Sequence, residues 1–221
     1  MLVGEKMTKN PVTVFQNASI DEALDIMRKA RVRRLPVVDK KGRMVGIVSE
    51  LDLLKVSPSP ATTLSIYEIP YLLSKIKLKD IMTRDVITVT EDTPLEEAAR
   101  IMADHKIGGL PVLRGSELVG IITETDLFKI FLELFAARQE GVRLSLLVPG
   151  ARGTIARITS RIAEMGGNIM ALGTLPTREP ELYQLMVKVA DVPEDRLVAA
   201  MQEMGLQILD ARYCTTPACN D

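Results

Sequence analysis

Tryptophan is absent, histidine occurs once, and the two cysteines, Cys214 and Cys219, lie in the last eight residues of a 221-residue chain. Late cysteines exclude a core disulfide framework and fit a reducing cytoplasm. One histidine and two tail thiols supply no usual metal-ligand set, so no metal is expected. Aromatic residues make up 4% of the chain, too few for base-stacking platforms. Lys+Arg and Asp+Glu number 28 and 29, a formal net charge of −1. That balance argues against electrostatic capture of nucleic acid. No apolar run reaches the roughly 18 residues of a membrane-spanning helix, and MLVGEKMTKN carries no apolar signal region. A cytoplasmic protein without membrane or nucleic-acid partners is expected. Nor is a clustered nucleophile–base set visible, so no catalytic residue is assigned and an enzyme is the remote alternative.

What the chain does have is a repeat. Residues 7–53 recur, slightly altered, as residues 82–127. Met7 maps to Met82, Pro36 to Pro111 and Asp52 to Asp126, with one residue lost in a turn. A repeat of this length means two copies of one structural unit. PVTV (11–14) and VITV (86–89) read as short extended pieces. Ser19 caps IDEALDIMRKAR, whose apolar stripe is Ile20, Ala23, Leu24, Met27 and Ala30. Thr93-Pro94 offers a cap and a first-turn proline for the second copy, with Leu95, Ala98, Ala99 and Met102 as its stripe. LPVVD, a KKG turn and MVGIVS make paired strands, as do LPVL and GSELVGIIT. ELDLLK and ETDLFKIFLEL start further helices. The unit is strand–helix–strand–strand–helix.

Between the copies, SPSP is loop material, and SIYEIPYLLSKI has helical character with Pro70 near its first turn. From about residue 140 another pattern begins. GVRLSLLVPG is a strand; Thr154–Met165 is a helix with Ile155, Ile158, Ile162 and Met165 on one face; Gly166-Gly167 stops it. NIMALGTLP and ELYQLMVKVA read as strands, PEDRLVAAMQEM as a helix ending at Gly205, and LQILDARY as a last strand. The order β-α-β-β-α-β is the ferredoxin-like split. The division expected is 1–56 and 79–136 for the two copies, 57–78 for a linker with a short helix, 140–214 for the third domain and 215–221 for a flexible tail.

The copies resemble the CBS domain, through the LPVV/LPVL strand and the ends GIVSELD (46–52) and GIITETD (120–126). The resemblance implies one pseudo-symmetric module with two clefts between the copies, commonly binding adenosine-containing ligands such as AMP, ATP or S-adenosylmethionine. Residues 142–213 resemble the ACT domain through LLVPGARGTIARITSRIAEMGGNI (146–169). That implies a small amino-acid-like effector at a dimer interface, or dimerisation alone. The order of domains, with residues 58–82, is similar to the acetoin-utilisation regulator family, whose output concerns carbon metabolism. The fold class is thus α/β (α+β): a tandem CBS pair followed by a ferredoxin-like βαββαβ ACT domain. A homodimer and an unidentified partner protein are implied.

Each G-h-h-S/T-x-x-D segment ends a strand and opens a helix. Its free amides and partial positive charge suit a phosphate or ribose. Asp52 and Asp126 can accept from a ribose diol, and Ser49 and Thr123 can bond ribose or phosphate. Equally, Ser49 and Thr123 can simply cap helices. Arg33 and Arg34 precede Leu35-Pro36, where the second copy has Gly108 and Gly109. Guanidinium groups can hold a phosphoryl group in two-pronged fashion; alternatively they are solvated charges at a helix C-terminus. The reading therefore expects one anion-favouring cleft and one weaker or different. Thr13, Thr88, Pro36 and Pro111 complete the candidate nucleotide-binding set. No cofactor is required; the adenine nucleotide or S-adenosylmethionine is a regulatory ligand. By the ACT resemblance, Gly150, Ala151, Arg152 and Gly153 would receive an effector carboxylate, and Asn168 with Ile169 its amine across a dimer interface. His105 reads as a helix C-terminal residue. A dimeric assembly protein with empty clefts is the competing reading.

Overall fold

The structure, a computed structural model, describes residues 1–56 and 75–215. The expected linker helix with Pro70, and Cys219, lie outside the described residues. The chain divides into two compact units, Met1–Leu127 and Phe128–Asp221.

The first unit contains α1 (Val3–Lys6), β1 (Thr8–Lys9), β2 (Val14–Phe15), α2 (Ile20–Ala30), β3 (Arg34–Val38), β4 (Met44–Ser49), α3 (Glu50–Lys55), α4 (Leu78–Ile81), α5 (Leu95–His105), β5 (Gly109–Arg114) and β6 (Glu117–Thr123). α2 starts where the capping logic places it. The Ser19 hydroxyl accepts from the Glu22 amide, and the Glu22 carboxylate accepts from the Ser19 amide at 2.7 Å. Ile20, Ala23 and Met27 are buried on its core face, while Ala30, expected in the stripe, is exposed. In the second copy Pro94, not Thr93, occupies the cap position. The Thr93 hydroxyl instead takes the Thr90 amide at 3.1 Å and shapes the preceding turn.

Two small sheets form, β2-β3-β4 and β1-β6-β5. Their composition is the main surprise of this unit. β1 belongs to the first copy yet pairs with β6 of the second, Thr8 opposite Ile121. Reciprocally, Thr83 bridges Ile47 of β4, with bonds of 3.0 Å in both directions. The exchange is symmetric in detail. Val3 donates to the Thr93 carbonyl (2.9 Å) and Leu78 to the Ala18 carbonyl (3.0 Å). Both crossings depend on a glycine. A Cβ on Gly46 would lie 2.6 Å from the Met82 sulfur, and one on Gly120 would strike the Met7 sulfur. The apolar core around Leu35, Val37 and Val48 accordingly takes in Leu78 and Met82 from the other copy.

The β3–β4 turn is closed by Asp39. Its carboxylate accepts from the amides of Lys41 (2.8 Å) and Arg43 (3.0 Å) and from the Arg43 guanidinium (2.8 Å). The Arg43 amide and guanidinium hold the carboxyl below the ordinary aspartate range. With the folded pKa depressed, this contribution is present above the unfolded value and fades as pH falls through the folded one. In an NMR titration the Asp39 carboxyl should have its midpoint below the free-peptide value of about 3.9; a midpoint at or above it would refute the clamp.

α6 (Glu124–Leu134) begins in the first unit and ends in the second. Next come β7 (Gly141–Pro149), α7 (Thr154–Glu164), β8 (Asn168–Pro176), β9 (Leu182–Ala190), α8 (Glu194–Glu203) and β10 (Gln207–Cys214). The antiparallel sheet runs β10-β7-β9-β8, the order of a ferredoxin-like split. Leu144, Leu146, Leu185 and Val187 pack with Ile158, Ile162 and Leu197. Ile155, expected in that stripe, is 42% exposed; Thr154 is buried instead, with its hydroxyl on the Ala151 carbonyl at 2.9 Å.

By strand alternation Lys188 points to the opposite sheet face from Val187 and Val189. There it is 3% exposed, donating to the carbonyls of Ala136 (2.9 Å) and Gln139 (2.5 Å). Phe135 lies over Gly173, where a Cβ would come within 2.9 Å of its ring. Among the described residues no helix is long and apolar enough to cross a membrane.

Candidate functional site: a cleft between the two repeats

β4 delivers Ser49 to the start of α3. The Ser49 hydroxyl accepts from the Asp52 amide (3.2 Å) and donates to Asp52 Oδ2 (2.6 Å), and the Ser49 amide donates to the same oxygen (2.9 Å). Thr123 and Asp126 repeat the arrangement in the second copy, at 3.4, 2.7 and 2.9 Å. Both pairs therefore do form caps. Only Oδ2 of each aspartate is used by these bonds, which leaves Oδ1 as a further acceptor.

Ser49 and Asp52 also line a cleft of about 590 Å³, a size suited to a small-molecule ligand. The first copy contributes Arg33, Arg34, Ile47, Glu50, Leu51 and Leu54. The second contributes Thr83, Asp85, Val86, Ile87, Lys106, Ile107, Gly108, Gly109 and Glu124. Ile47, Val86, Ile87 and Ile107 form an apolar part of the wall. Both arginines face this cleft. Arg34 extends across to the second copy, its guanidinium lying over Gly108 so closely that a Cβ there would displace it. The Glu124 carboxylate approaches the same point, 2.6 Å from such a Cβ. Arg33 reaches the Thr125 hydroxyl at 3.5 Å. Lys106, with φ of 54°, is the left-handed C-cap of α5.

The structure thus gathers Arg33, Arg34, Ser49 and Asp52. It does not place Thr13, Thr88, Pro36, Pro111, Thr123 or Asp126 in the lining of this cleft. Pro36 and Pro111 are buried in β3 and β5, where they oppose Ile47 and Ile121. Sequence reading missed Asp85, Lys106 and Glu124 as cleft residues. All three come from the second copy, and this cleft draws on both copies.

In the second unit, the Gly150 amide donates to the Glu181 carbonyl (2.8 Å), and a Cβ on Gly150 would lie 2.8 Å from the Tyr183 ring. Gly153 (φ +81°) caps α7; Ala151 and Arg152 are exposed. Asn168 and Ile169 pair with Ala190 and Val189, whereas Pro149 pairs with Leu182. The loop 150–153 and Asn168 therefore sit at opposite ends of β9, and one copy does not bring them together. His105 is exposed as the last residue of α5. No group of three or more His, Cys, Asp or Glu among the described residues could hold a metal ion.

The CBS-domain family model matches residues 3–59 and 78–133. The chain belongs to the CBS-domain family. An uncharacterized Methanocaldococcus jannaschii protein, MJ1404, is 37% identical over 60% of this chain, which covers 32% of that protein. The chain thus spans about a third of the length of that curated relative. A Vibrio cholerae structure described as an acetoin utilization protein (AcuB) is 33% identical, with a TM-score of 0.51, over 62% of this chain and 93% of that one. The structure of CBSX2 in complex with AMP is 33% identical, with a TM-score of 0.49, over 59% of this chain and 96% of that one.

Proposed function

We propose that this protein is a non-catalytic regulatory sensor that takes an adenosine-containing ligand in the cleft at Ser49 and Asp52. The observation that carries the reading is the lining of that one cleft. An apolar wall of Ile47, Val86, Ile87 and Ile107 suits a base, and Asp52 Oδ1 suits a ribose hydroxyl. Arg33, Arg34 and Lys106 supply charge for the rest of the ligand. Because both copies line the cleft, a ligand there changes the relative stability of their arrangements, which is what a sensor needs. The signal goes to a partner protein, and the likeness to AcuB supports one in carbon metabolism. The second unit serves as an ACT-like module. Its sheet order supports that reading, and the separation of loop 150–153 from Asn168 fits an effector site completed by a second chain.

Calorimetry with AMP, ADP, ATP, NADH and S-adenosylmethionine tests the sensor. At least one should bind. Asp52→Ala should weaken it roughly ten- to hundredfold, the loss of a hydrogen bond to a charged acceptor. Asp126→Ala, which removes the same cap outside this cleft, should leave it unchanged. No heat with any of them would favour a dimeric assembly protein with empty clefts.

A further inference from the structure

We infer, resting on the reading of this cleft as an adenosine-ligand site, that it selects a zwitterionic amino-acid tail carried on the ribose, as in S-adenosylmethionine, over a phosphate tail. The arginines alone suggest a phosphate. The folded cleft says otherwise, because the second copy brings carboxylates to the same place. Arg33, Arg34 and Lys106 share the cleft with Glu50, Asp52, Asp85 and Glu124. Phosphates are bound where cations and amides gather without competing carboxylates. Here every cation has an acid in the same cavity.

The arrangement around Gly108 is the telling one. The Arg34 guanidinium and the Glu124 carboxylate both lie against the point where a Gly108 Cβ would stand, and no ion pair among the described residues joins them. Two opposite charges held side by side, each with bonding capacity to spare, match a ligand that carries a carboxylate and an ammonium a few ångströms apart. Arg34 would take the carboxylate in two-pronged fashion and Glu124 the ammonium. A phosphate against Arg34 would sit beside the Glu124 charge and be repelled by it. Gly108 makes this possible: a side chain there would drive Arg34 away.

Calorimetry of the full chain separates the two ligand classes. S-adenosylmethionine and S-adenosylhomocysteine should bind at least roughly tenfold more tightly than AMP or ATP. 5′-Methylthioadenosine, which keeps the adenosine and sulfur but lacks the amino acid, should bind about tenfold more weakly than S-adenosylhomocysteine. Glu124→Gln should remove that advantage while leaving 5′-methylthioadenosine unaffected. Tighter binding of AMP or ATP, or equal binding of all five, overturns the inference and leaves the sensor standing. An unchanged preference in Glu124→Gln also overturns it. Absence of binding by every ligand overturns the sensor as well. Should Glu124→Gln fail to fold, the wild-type series still decides.

Discussion

Gly46→Ala should lower the stability of the Met1–Leu127 unit by about 1–3 kcal/mol, the usual cost of forcing a methyl group into a filled core. The new Cβ would lie 2.6 Å from the Met82 sulfur and 2.8 Å from the Thr83 carbonyl oxygen. The thioether can turn aside, but the Thr83 backbone is bonded to Ile47 in both directions and cannot. Gly120→Ala is the internal control. Its three nearest neighbours would all be atoms of the flexible Met7 side chain, so its loss should be smaller. Urea unfolding of both variants gives the comparison. Equal midpoints would show that the crossing strands are less tightly seated than their hydrogen bonds imply.

Lys188→Met should cost the Phe128–Asp221 unit about 2 kcal/mol or more. Methionine roughly keeps the volume, so the loss reports on hydrogen bonds rather than on a cavity. The carbonyls of Ala136 and Gln139 would lose the donor they share. Each orphaned group costs roughly 1–3 kcal/mol, offset in part by no longer burying a charge. Amide hydrogen exchange should locate the loosening at residues 135–139 and the facing strand β9. Wild-type midpoint and exchange rates in Lys188→Met would mean that the ammonium is dispensable there.

Local chemistry made much of this architecture legible beforehand. Ser19 and Glu22 announce a helix start because a hydroxyl and a carboxylate three residues apart satisfy each other's amides. The apolar runs LPVV and GIVS on either side of a KKG turn announce strands, and the order of elements after residue 140 announces the split. What the sequence could not tell is which copy β1 would join. Two near-identical sheets offer near-identical edges, and the hydrophobic pattern is silent between them. The identity of the cleft suffered from the same silence. Arg33 and Arg34 read as a phosphate holder while Asp85 and Glu124 stood in the other copy, far along the chain. Smaller misses have local causes. Ile155 falls on the helical stripe by spacing, but it lies in the first turn of α7, where Thr154 turns inward onto Ala151. Thr93 looks like a cap, yet its hydroxyl is taken by the turn before it. The pairs Ser49–Asp52 and Thr123–Asp126 were readable as caps or as ligand groups, and the geometry of one carboxylate with two oxygens accommodates both.

The exchanged strands also set a schedule for synthesis. α1 and β1 are made before the elements they pair with, and Val3 and Met7 are buried in the finished molecule. Their partners, from Thr93 to Ile121, are more than eighty residues downstream. Closing so long a loop is slow compared with forming a helix or a hairpin. While the ribosome works through that interval, the leading segment has no edge to join. β4 meanwhile carries an unpaired edge until Thr83 arrives. Copy one therefore waits for copy two, and the unit completes itself in a single late step rather than one repeat at a time.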